Sequence, residues 1–96
     1  MKFTLIIAAV LVGLASGCVR DDSDGRPNCI AVELEQRLWR NNADPTAFWE
    51  CETLNVPATA RRCASEEMFY VVPLRCVPHT EWEWTPTCKP PSMVSS

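Results

Sequence analysis

Thr46-Ala-Phe-Trp-Glu-Cys-Glu-Thr-Leu54 is the stretch on which the fold class turns. It is rich in aromatic and β-favouring side chains, and Asn55-Val-Pro57 follows it as a turn. Met68-Phe-Tyr-Val-Val72 has the same character. Pro73 and Pro78 interrupt regular structure beyond it, because proline lacks a ladder donor and fixes φ. Farther on, Glu81-Trp-Glu-Trp84 alternates with period two, so a strand over 81–85 would put both tryptophans on one face. Upstream, residues 28–42 are the one helical stretch: Ile30, Leu34 and Leu38 recur every fourth residue, with Trp39 beside them. Asn28 suits the start of that helix, and Asn41-Asn42 with Pro45 its end. Glu33 and Arg37 stand four apart as a solvated pair, and the Ile/Leu stripe reads as core.

Size decides what must hold such strands together. Residues 1–17 run from Lys2 through an apolar stretch over 3–15 to small residues before Cys18, the pattern of a cleaved secretory signal. The apolar run is shorter than the roughly 20 residues of a membrane span. Ala15-Ser-Gly-Cys18 loosely resembles a bacterial lipobox, but acylation there would leave an odd number of cysteines. The remaining 79 residues carry all six cysteines, at 18, 29, 51, 63, 76 and 88. A chain this small buries too little apolar surface to fold on its core alone, and disulfides supply the staples. The spacing by itself leaves about 15 pairings open. No Cys-x-x-Cys is present and His79 is the lone histidine, so no metal and no cofactor is expected. Without Lys2, eight Lys and Arg face twelve Asp and Glu, a net charge of −4. An acidic chain with no basic block is a poor partner for nucleic acid or an anionic membrane. The expectation is a secreted, monomeric, small disulfide-rich domain, mainly β as short antiparallel hairpins, with one N-terminal helix. Residues 19–27 read as an extended or mobile arm and 89–96 as a flexible tail, leaving 18–88 as the stapled domain.

Asp44-Pro-Thr-Ala-Phe-Trp-Glu-Cys51 resembles the aromatic-aromatic-x-Cys motif of the invertebrate chitin-binding type-2 (peritrophin-A) domain. Asn55-Val-Pro57 is similar to that family's Asn-Gly-x-Pro turn without its glycine. Cys63, Phe69 and Cys76 match its fourth-to-fifth cysteine stretch, aromatic included. Trp84-Thr-Pro-Thr-Cys88 resembles the run into its sixth cysteine. The similarity covers residues 29–88. It departs where the family's second cysteine would fall, at Asp44 or Pro45, and Cys18 is additional. The resemblance implies the pairs Cys29–Cys51 and Cys63–Cys76, and subtraction leaves Cys18–Cys88.

By the same resemblance, the ligand is chitin or a related N-acetylglucosamine polymer. A neutral sugar needs flat apolar faces for stacking, and Phe48, Trp49, Trp82 and Trp84 are the candidates. On a strand, Phe48 and Trp49 point to opposite faces, one to the core and one outward. The competing reading is that these rings are simply the core, and that the protein is a secreted, cysteine-rich interaction protein with an extracellular protein partner. Catalysis is not expected. Glu50 with Glu52, and Glu81 with Glu83, are carboxylate pairs without a cleft, and His79 reads as a solvated loop residue.

Overall fold

Alternating burial marks the strand that organises the molecule. In the computed structural model, which describes residues 18–94, Ala47 and Trp49 are buried while Phe48 and Glu50 are half-buried. This strand, β2 (Ala47–Glu50), is the centre of a three-stranded antiparallel sheet. On one edge lies β1 (Leu38–Arg40), with Trp39 opposite Trp49. On the other lies β3 (Thr59–Arg62), with Arg61 opposite Phe48 and Ala60 opposite Trp49. Behind the sheet, Trp49 packs with Cys29, Cys51 and Ala58, and Leu34 and Trp39 close over them. A second sheet is the hairpin of β4 (Glu67–Tyr70) and β5 (Arg75–Pro78), with Phe69 opposite Cys76. The two sheets meet where the Phe48 and Phe69 rings stack at 5.0 Å between centroids. The Phe69 backbone N–H also donates to the Pro45 carbonyl at 2.8 Å.

Three disulfides staple these parts: Cys29–Cys51 within the core, Cys63–Cys76 between β3's exit and β5, and Cys18–Cys88 joining the two ends. They are the pairs that the resemblance implied and subtraction left. Among the described residues the molecule is thus a small disulfide-rich, mainly-β fold with one short α-helix.

That helix is shorter than the periodicity suggested. It is α1 (Ala31–Gln36), six residues long, and it starts from Ile30 rather than Asn28. Arg37 takes φ 72° and ends it, its N–H donating to the Glu33 carbonyl at 2.9 Å. The residues beyond gain more by pairing with β2, which satisfies their backbone groups and lays Trp39 against the core. Ile30, Leu34 and Leu38 therefore sit on three different local structures: the helix entry, the helix and a strand.

Glu33 corrects the sequence reading most sharply. It is fully buried rather than solvated, and Arg37 turns away to Glu50. Glu33 Oε1 accepts the Ile30 N–H at 3.0 Å, closing the helix start. Its Oε2 accepts the Ser92 N–H at 2.8 Å and the Ser92 hydroxyl at 2.7 Å. These bonds hold the C-terminal segment, so the expected flexible tail is docked as far as Val94, with Pro90 buried and a 3-10 turn at Pro91–Met93.

The N-terminal arm is likewise folded in. Arg20 bridges Cys88, the Lys89 N–H donates to Val19 O at 2.7 Å, and Asp21 is 3% exposed. Gly25 needs its φ of 71° here, and an added Cβ would meet Asn42 Nδ2 at 2.5 Å. The strand expected over 81–85 is absent. A 3-10 turn, His79–Glu81, follows Pro78 directly, and the residues after it pair with no strand. The signal reading over 1–17 lies outside the described residues. Among the described residues, no helix is long and apolar enough to cross a membrane.

Candidate binding surface

The aromatic candidates do not converge. Trp49 faces inward from β2 at 8% exposure, and its ring N–H donates to Asp24 O at 3.0 Å. The Arg26 guanidinium lies 5.4 Å from the ring centroid and covers it. Phe48, half-buried on the opposite face, is occupied by its stack with Phe69. Phe69 is in turn buried against the hairpin that Cys63–Cys76 closes. Trp82 is half-buried, and its ring N–H donates to the Phe69 carbonyl at 3.0 Å. Trp84 alone of the four is open, at 60% exposure. The shared platform expected for Trp82 and Trp84 required a strand, and without one the two rings take different environments.

The segment that carries Trp84 is nonetheless anchored on both sides. On its N-terminal side Trp82 is tied to β4, and on its C-terminal side Arg40 reaches across from β1. Arg40 Nη1 donates to Thr85 O at 2.8 Å, to Thr85 Oγ1 at 2.6 Å and to Pro86 O at 3.3 Å. The flanking Glu81 and Glu83 are exposed.

Glu50, Arg61 and Arg62 of the three-stranded sheet are all ion-paired. Glu50 accepts from Arg37 Nε at 2.7 Å and from Arg61 Nε at 3.0 Å. Arg61 also reaches Glu52 at 3.3 Å, and Arg62 pairs with Asp44 at 3.2 Å. Hydrogen bonds from Arg37 and then Arg61 hold the Glu50 carboxyl below its ordinary value, so it is placed as an ion-pair partner rather than a proton donor. Asp44 is lowered by the hydroxyl and N–H of Thr46, with Arg62 adding to this. Burial pushes the Asp21 carboxyl up, but hydrogen bonds from Asn42 and Ser23 and the charge of Lys89 outweigh it and leave it lowered. All three are thus depressed in the folded chain. Their stabilisation is full above the unfolded carboxyl range, near pH 4, and is lost as pH falls through the lowered values. The urea midpoint should therefore stay flat from about pH 7 to 5 and drop below about pH 4. A midpoint that rises on acidification would contradict these assignments.

Among the described residues, no group of three or more His, Cys, Asp or Glu is placed to hold a metal ion. The burial of Asp21 and Glu33, and the bond that half-buried Asn42 gives Asp21, escaped the sequence reading. Asp21-x-Ser23 carried a local turn signal, whereas nothing in the sequence tied Glu33 to Ser92. No family model, curated protein or solved structure matches the chain.

Proposed function

We propose that the protein is a secreted, non-catalytic binding module for chitin or a related N-acetylglucosamine polymer, with Trp84 as its contact ring. The observation that carries this reading is an indole 60% exposed on a segment pinned at both sides. A ring carried on an anchored backbone loses less freedom on stacking against the C–H face of a sugar than one on a free loop. Glu81 and Glu83 beside it offer acceptors to hydroxyl and acetamide N–H groups, and they repel anionic polymers. One stacked ring contributes about 1 kcal/mol, which suits an insoluble, repetitive polymer on which many weak contacts add.

A second reading keeps the scaffold and drops the sugar. The burial of Trp49 and the filled face of Phe48 favour it, because these are the two aromatics of the family-like motif. Retention on chitin beads separates the two readings. The wild type should be retained, and Trp84→Ala should be released while its unfolding midpoint moves by no more than about 0.5 kcal/mol. A wild type that stays in the supernatant would remove the sugar and leave an extracellular protein as the ligand.

A further inference from the structure

An open cleft of about 330 Å³ separates the turn between β4 and β5 from the segment 85–90. Its walls are apolar, with Trp39 on the sheet side, Val72 and Leu74 on the turn, and Pro86 and Pro90 opposite. Val72 is 72% exposed, so much of this apolar lining lies open to water. Trp84 does not line the cleft, although its neighbour Thr85 and the anchoring Arg40 do.

Charge distinguishes the cleft from an incidental groove. The chain holds twelve Asp and Glu against nine Lys and Arg, yet the charged residues lining the cleft are Arg40 and Lys89, with no Asp or Glu. Neither cation forms an ion pair with a described residue. Lys89 acts on Asp21 only through its charge, and Asp21 already accepts hydrogen bonds from Asn42 and Ser23. Arg40 spends Nη1 on Thr85 and Pro86, bonds that fix its guanidinium plane. Its Nε and Nη2 donate to no described residue. A fixed fork with donors to spare is well suited to a carboxylate.

We propose that this cleft binds a small amphipathic carboxylate: an apolar body lying against Trp39, Val72 and Leu74, with its acid group on Arg40 and Lys89. The volume sits at the lower end for small-molecule sites, which run from about 300 to 1,000 Å³. A neutral ligand would leave both cations unused, and a purely polar anion would leave the apolar walls wet. Chain and charge together fit the lining.

The test is an amide NMR titration of the disulfide-intact protein near pH 7 with three probes: octanoate, octanol and acetate. Octanoate should shift the amides of Gly25, Asn42, Val72 and Lys89. Octanol should shift the same set at least about threefold more weakly, and acetate should shift none of them. Lys89→Gln should weaken octanoate by about three- to fivefold and leave octanol unchanged, the range of an exposed ion pair. Val72→Asp, at an exposed position that tolerates the change, should abolish octanoate binding, whereas Trp84→Ala should preserve it. Equal binding of octanoate and octanol, shifts confined to other surfaces, or no shift at all would each overturn the proposal.

Discussion

Replacing Cys29 and Cys51 together by alanine should cost about 5 kcal/mol in all, more than removing either other bridge. Loop length alone gives a different order. The bridges close separations of 70, 22 and 13 residues for Cys18–Cys88, Cys29–Cys51 and Cys63–Cys76. Chain entropy then assigns them about 4.4, 3.4 and 2.9 kcal/mol. Burial reverses the first two. Cys29 and Cys51 are 0% and 1% exposed and sit in the core beside Trp49, whereas the other four sulfurs lie nearer the surface. Deleting the buried pair removes packed sulfur as well as the cross-link, which adds about 2 kcal/mol. Cys29 also holds a left-handed backbone, φ 62°, that alanine would have to keep without the bridge. Against a total stability of about 5–15 kcal/mol for a domain, this variant stands at the edge of unfolding. Urea unfolding of the three paired-alanine variants gives the order directly. If Cys18/Cys88 proves the costliest pair, loop entropy rather than core packing governs this fold.

The β-rich stretches around Phe48 and Phe69 were legible in the sequence because a strand's composition is local. What the sequence concealed is set by partners far along the chain. Glu33 has the spacing of a solvated helix pair with Arg37, but its carboxylate is taken by Ser92, 59 residues away. Residues 19–27 look like a free arm by composition, yet Asp21 is locked by Asn42 and by the Thr87 carbonyl that accepts its N–H at 3.1 Å. Leu38 and Trp39 keep the helical period, and only the presence of β2 makes them a strand. Glycine is also a poor guide here. Cys29, Arg37, Asn55, Glu66 and Leu74 all take positive φ without it, so several sharp turns carry no glycine signal. Positive φ is costly for side chains such as those of Cys29, Glu66 and Leu74, a strain that three cross-links can offset. The candidate site was half legible. All four aromatics are real features of the fold, but which ring faces water depends on the Phe48–Phe69 junction and the Trp82 anchor.

Trp49 is where scaffold and binding surface are told apart, because the family-like motif nominates it for the ligand and the structure spends it on the core. Trp49→Ala should cost about 4 kcal/mol, within the range for deleting a buried large aromatic. Part of that loss is the cavity left beside Cys29, Cys51 and Ala58. Part is the Asp24 carbonyl, which would lose the indole N–H it now accepts at 3.0 Å. Arg26 would lose the ring it covers, although its Nε keeps the Ala58 carbonyl at 2.9 Å. Trp49→Phe isolates these contributions. It retains most of the apolar volume, forfeits the N–H, and should cost about 1–2 kcal/mol while remaining folded. Its retention on chitin should equal that of the wild type, since the ring it replaces has no open face. A ligand-contact role predicts the reverse, with a small change in stability and a large loss of retention. Trp84→Ala should show that reversed pattern. If Trp49→Phe is folded and fails to bind while Trp84→Ala still binds, the contact surface lies on the sheet around β2 and Trp84 has no part in it.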